Sequence, residues 1–192
     1  MTKNEIVWRG TMIDSFVDLL IKYGIAKTDW GQKTIPAHTT LLYEGDVADN
    51  LYFIHSGALR LWHNDDGKDI TFQFFFENQI VASYESFYLE KPSLFSIEAI
   101  EDTELLLLKK ATLETFLQNN PALMRVVMNQ LSERFIAYTE YFLSRIKESP
   151  EKRYISLKEH DPQLIKRVPD HYIASFLGIT PVSLSRIKTR IK

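Results

Sequence analysis

The sequence predicts an α+β chain: an all-β region that forms a sandwich, barrel or roll, then one long helix, then a small helical C-terminal unit. Three observations predict it. Short apolar runs punctuated by glycine fill residues 33–109; residues 122–148 contain neither Gly nor Pro; and residues 168–187 hold two short amphipathic segments around a single glycine.

The opening segment Ile6–Tyr23 carries Ile13, Phe16, Val17, Leu19 and Leu20 at helical spacing. The pattern then changes to short runs, at Thr40–Tyr43, Leu51–His55, Ala58–Trp62, Ile70–Phe76, Phe95–Ile100 and Glu104–Lys109. Gly45, Gly57 and Gly67 separate several of them, and Asp65-Asp66-Gly67 is a hairpin signal, because glycine accepts the positive φ of a tight turn. Thr112–Leu117 reads as a short helix ended by Asn119-Asn120. Asn120 then caps a helix whose first position is Pro121, where a missing N–H costs nothing. Running to Glu148, it would be about 42 Å long at 1.5 Å per residue.

That helix carries Val127, Leu131, Phe135, Tyr138, Phe142 and Ile146 in steps of three and four, the spacing of a two-helix seam. Dimerisation is favoured over packing on the chain's own β-region, since aromatic residues occupy more than one face. Ser149-Pro150 breaks the helix. The expected units are therefore a β-rich unit over 1–120, a dimer helix over 121–148 and a C-terminal unit over 149–192.

In the last unit, Arg153–Glu159 continues as a short helix ended by Asp161-Pro162. Tyr172, Ile173, Phe176 and Leu177 supply the apolar side of a two-turn helix, with Ala174 small where a second helix approaches. Gly178 turns the chain, Ile179 plugs the corner, Thr180 caps the next helix and Pro181 opens it, with Leu184 and Ile187 inward. Thr180, Ser183, Ser185, Arg186, Lys188, Thr189 and Arg190 then offer short hydroxyls and long cations to phosphates and base edges in a major groove. Charge agrees. The chain carries −2 overall, yet residues 145–192 hold 11 Lys+Arg against 5 Asp+Glu, a net of +6 on a body of −8.

Composition excludes several classes. With 45% hydrophobic and 25% charged residues the chain has a proper core, and no apolar run reaches the roughly 20 residues of a membrane span. A polar N-terminus without a leader pattern makes the cytoplasm the expected location. The absence of cysteine removes disulfides, thiolate metal sites and cysteine nucleophiles. His55 and His63 stand eight apart with a turn between them and His38 stands alone, so no His-x-His metal pair, nucleophile elbow or P-loop supports an enzyme. A pure protein–protein interaction module is the competing reading of the C-terminal helices.

Leu42–Leu61, with its Glu44-Gly45-Asp46 turn and a strand ending in Ser56-Gly57, together with the helix-turn-helix, resembles the Crp/Fnr family of regulators over nearly the whole chain. The resemblance implies that the unit over 1–120 is a sensor built as an antiparallel β-roll of jelly-roll type, cyclic-nucleotide-binding-like with flanking helices. It further implies homodimerisation through the long helix, a palindromic double-stranded DNA operator, and contact with RNA polymerase. Members that bind cyclic nucleotides place Gly-Glu-Leu and an Arg-Ser or Arg-Thr pair in a phosphate cassette. Here those positions read Ala82-Ser83-Tyr84 and Ser93-Leu94, with only Lys91 nearby, a point charge without the Arg fork. Losing both the phosphate cation and the ribose acceptor argues against cAMP and leaves an unknown small effector, a degenerate cyclic-nucleotide pocket, or none; no cofactor is identified. By the same analogy a pocket would be lined by Ala82, Ser83, Tyr84, Ser93 and Leu94, reached from the long helix by Tyr138 and Thr139. The reading helix opens with Pro181-Val182 where better-known members carry Arg-Glu, so only Arg186 is retained, and little chain is left for a β-wing.

Overall fold

The computed structural model describes Val17 and residues 20–191. The helix expected over Ile6–Tyr23 falls largely outside them. After a 3-10 turn at Lys27–Asp29 come β1 (Gly31–Ile35), β2 (Thr40–Leu42), β3 (Asn50–Ser56), β4 (Leu59–Asp65), β5 (Lys68–Phe75) and β6 (Ile80–Val81). A short helix α1 (Tyr84–Leu89) precedes β7 (Ser96–Ala99) and β8 (Thr103–Lys109). Helices follow to the end: α2 (Lys110–Asn119), α3 (Pro121–Lys147), α4 (Pro150–His160), α5 (Pro162–Arg167), α6 (Asp170–Leu177) and α7 (Pro181–Arg190). The α+β roll with a long helix and helical C-terminus is therefore the observed architecture. No strand follows Lys109 among the described residues, and no helix among them is long and apolar enough to cross a membrane.

The strands form two antiparallel four-stranded sheets, ordered β1-β8-β3-β6 and β2-β7-β4-β5. Alternation along each strand sends one set of side chains into the space between the sheets. Ile54, Leu59, Val81, Ile97, Leu105 and Leu108 are fully buried there, joined by Leu123 from the start of α3. The β4–β5 hairpin pairs Asp65 with Lys68, leaving Asp66 and Gly67 as its two turn residues, both at positive φ (51° and 83°). That is a type I′ turn, whose twist suits the flanking strands; the side-chain carbonyl of Asn64 accepts the Gly67 N–H at 2.8 Å.

Gly57, between β3 and β4, has φ +100°, and a Cβ there would lie 2.4 Å from Thr103 Oγ1 and 2.6 Å from the Asp102 carbonyl. Conformation and space both exclude a side chain. Gly57→Ala is expected to lower stability by about 2–4 kcal/mol, from the left-handed backbone and overpacking together. A thermal melt within a degree of wild type would show that the loop yields instead.

Four helices start alike, with a polar cap followed by Pro at the first helical position. Asn120 accepts from Leu123 N (3.2 Å), Ser149 from Lys152 N (3.3 Å), Asp161 from Leu164 N (3.1 Å) and Thr180 from Ser183 N (3.2 Å). Asp161-Pro162 thus ends α4 and also begins α5, a helix the pattern analysis did not contain.

The C-terminal helices do not stand apart. Tyr154, Leu157, Leu164, Val168, Ile173, Phe176, Leu177, Leu184 and Ile187 share one buried cluster with Ala58, Phe74 and Ile100 of the roll. Neighbouring residues of β5 therefore serve different cores: Phe75 packs between the sheets and Phe74 against α6, 5.4 Å between its ring centre and that of Phe176.

Candidate nucleic-acid interface

Helix α6 ends at Gly178, whose φ of +71° lets the chain reverse. Gly178 N–H donates to Ser175 O at 2.9 Å and Ile179 N–H to Ala174 O at 3.0 Å, the paired bonds of a Schellman turn. Ala174, Ile173 and Leu177 on α6 and Leu184 and Ile187 on α7 are buried, so the two helices close on one another as the spacing predicts.

The outer side of α7 shows Val182, Ser185, Arg186, Thr189 and Arg190 exposed, with Ser183 and Lys188 half-buried. Thr180 is exposed, and its hydroxyl lies 3.0 Å from that of Ser183 at the helix start. The predicted set therefore shares one helix, but its members differ in what they already hold. Lys188 Nζ pairs with Asp170 of α6, and Arg190 lies 3.2 Å from Glu151. Thr189 donates to Ser185 O within its own helix. Arg186 takes part in no ion pair among the described residues, so its guanidinium is the one whose fork is available without breaking a contact.

The long helix leaves a row of large apolar side chains bare. Met128, Phe135 and Phe142, seven apart, are 53%, 73% and 63% exposed, and Met124, Ile136, Leu143 and Ile146 are exposed too. Leu131 is half-buried between them. Val127 requires a correction: it packs against the roll core with Val126, because the buried Leu123 fixes which side of the helix meets the sheets. Met128 takes its place in the row. Tyr138 is part-exposed while its hydroxyl donates to Gln73 Oε1 of β5 at 2.6 Å.

The cassette region differs further from expectation. Ser83 and Ser93 are buried and come together, Oγ to Oγ at 2.8 Å, with Ser93 Oγ also 2.7 Å from Phe95 O. Ala82 is half-buried. Tyr84 and Leu94, however, are 51% and 64% exposed, and Tyr84 stacks on Tyr88 at the surface. Thr139 is also exposed, its hydroxyl spent on Phe135 O. These three do not line an enclosed site, because α1, the Leu94 turn and the solvent side of α3 present them outward. Lys91 is exposed, and Lys110, the cation beside α1, is paired with Glu90 at 2.9 Å. Among the described residues no group of His, Asp or Glu could hold a metal; His38 faces Glu98 (3.8 Å) and His63 faces Glu44 (2.9 Å).

Sequence reasoning missed the arginines that join the C-terminal helices to the rest. Arg153 donates to Leu177 O (2.6 Å), Glu148 O (3.1 Å) and Arg145 O (3.2 Å), and Arg145 donates to Phe176 O (2.9 Å). Arg167 grips both oxygens of Glu77, each at 2.7 Å, and also meets Glu101. That fork holds the Glu77 carboxyl down to about 2, well below its ordinary 4.5. Only the choice of Arg over Lys at all three positions hinted at planar, multidentate bonding.

Comparison with known proteins gives one consistent picture. Residues 32–120 match the cyclic nucleotide-binding domain family. The curated anaerobic regulatory protein of Bacillus subtilis (strain 168) is 33% identical over 102 residues, 53% of this chain. That match spans 43% of the relative's own length. Among solved structures, FixK2 from Bradyrhizobium japonicum superposes with a TM-score of 0.73 at 18% identity, covering 84% of each chain. The c-di-GMP responsive global regulator CLP of Xanthomonas campestris does so with a TM-score of 0.71 at 16% identity, covering 91% of each. At such identities these two likenesses speak for the fold.

Proposed function

We propose that the chain is a regulator of Crp/Fnr type, in which residues 32–120, similar to the cyclic nucleotide-binding domain family, form the sensor-type domain, and that it acts as a dimer, reading a palindromic DNA operator with α7 of each subunit. The observation that carries this is the bare outer side of α7, with Ser185 and Arg186 exposed above a tightly turned helix pair. Two such helices related by a two-fold axis fit half-sites one helical turn apart, about 34 Å. The row Met128, Phe135 and Phe142 supplies the axis. RNA polymerase is the further partner such a regulator would meet, the roll over 1–120 and the unit over 149–192 are its two working parts, and the cytoplasm is where it would work.

Selection from a random duplex library is the test. Enrichment of an inverted repeat supports the reading. Recovery of no sequence above background in dilute salt sinks it.

The roll is proposed to work without cyclic nucleotide. Its cassette hydroxyls bond to one another, and the position of the phosphate-holding cation is Ser93. Adding cAMP at millimolar concentration is therefore expected to leave the melting temperature unchanged. Saturable stabilisation, which grows with the logarithm of ligand concentration above Kd, would restore a nucleotide effector.

A further inference from the structure

We propose that the roll itself holds the C-terminal helices in the DNA-reading orientation, through a latch on the outer side of β5 and its neighbours that needs no bound effector. This rests on the DNA-binding reading above. Strand β5 lies at the edge of its sheet, where its free N–H and C=O groups need partners. Ser175 of α6 supplies both: its hydroxyl accepts from Thr71 N–H at 2.9 Å and donates to Asp69 O at 2.7 Å.

Beside it, Arg60 is 2% exposed and donates to Thr71 Oγ1 (3.0 Å), Asp69 Oδ2 (3.0 Å) and Glu98 Oε2 (2.9 Å). The Tyr172 ring of α6 covers that guanidinium at 3.9 Å, and the Tyr172 hydroxyl reaches Glu98 Oε1 at 3.4 Å. A buried cation so enclosed by protein acceptors holds its lid in one place. The Arg167 fork to Glu77 and Glu101 forms the second clamp, and Glu77 is itself fixed by Gly57 N–H at 2.9 Å.

The same strand meets the long helix on its inner side. Gln73 accepts from Tyr138, and Arg134 lies over the Phe75 ring at 5.1 Å. One strand thus sets both the dimer helix and α6. The direction of the effect follows from what the latch leaves uncovered. Its contacts use Arg167, Tyr172 and Ser175, all before Gly178, whereas Ser185, Arg186 and Thr189 of α7 stay exposed. An inhibitory contact would cover that side. This one presents it.

The double variant Glu77→Gln with Glu101→Gln decides the matter by sign. Removing two carboxylates makes the protein more positive, which by charge alone strengthens attraction to DNA. The latch predicts the opposite: about tenfold weaker binding to a duplex selected by the wild type, measured with no added ligand, and faster hydrogen exchange at residues 170–177. The dimer should be unchanged. Ser175→Ala, which leaves charge alone, should weaken binding in the same direction. Unchanged or tighter binding overturns the proposal, as does wild-type binding that appears only after cAMP is added. Unchanged exchange with weakened binding overturns the latch but spares the DNA-binding reading; a wild type that selects no duplex overturns both.

Discussion

Phe135→Glu together with Phe142→Glu is expected to convert the dimer to a monomer at micromolar concentration, weakening association at least about a thousandfold. A two-fold pair buries four of these rings, each contributing about 1.5–3 kcal/mol when removed from water. Four carboxylates brought together there would add repulsion. The rings are among the most exposed large side chains of the chain, so the roll loses no packing when they are replaced. Light scattering reads the mass directly, and the melting temperature checks that the fold is intact. Were the wild type already a 22.4 kDa monomer at that concentration, the row of bare aromatics would need another occupant and the two-fold operator would lose its basis.

Arg186→Ala should weaken binding to the selected duplex by about 1–3 kcal/mol, roughly five- to 150-fold, and should relax preference at one position of each half-site. Arg190→Ala should cost less, because Arg190 is already partnered by Glu151 and acts on phosphate only by giving up that pair. Arg186→Lys is informative beside them. If a guanine edge is read, the lysine keeps the charge but loses the bidentate fork, and binding should fall measurably. Equal losses for Arg186→Ala and Arg190→Ala, without change in sequence preference, would assign both to the phosphate backbone. Anisotropy titrations at one fixed salt concentration make the comparison valid.

Much of this architecture is legible in the sequence for local reasons. The Asp66-Gly67 turn, the cap-and-proline starts and the Gly178 corner each demand residue types that few other structures want. What escaped was weakly patterned or distant. Strand β1, Gly31–Ile35, is polar and exposed along four of its five residues and pairs, among the described residues, with β8 alone, so it lacks the alternation that betrays a half-buried strand. Strand β6 has two residues and no period at all. Helix α5 was hidden because a proline after Asp161 reads equally as a stop or a start. Val127 and Met128 sit 100° apart on α3, and only the position of Leu123 against the sheets decides which faces outward. Tyr84 and Leu94 rest on analogy of motif, which ignores how α1 and the turn at Leu94 carry them to the surface. The Arg60, Arg167 and Ser175 contacts bridge 38, 90 and 106 positions of chain, beyond any periodicity, and their polar side chains pass for those of ordinary surface residues.

The cluster in which Ala58, Phe74 and Ile100 meet the last helices bears on transplantation. A chimera that grafts residues 149–192 onto a foreign sensor would carry Tyr154, Tyr172 and Phe176 into a host lacking their counterpart surface. The recipient, robbed of its own terminal helices, would bare equivalent hydrophobes in turn. Exchange of specificity between relatives therefore works at the level of the few side chains on α7, and whole-module swaps succeed only when the donor's own β4–β5 hairpin travels with them.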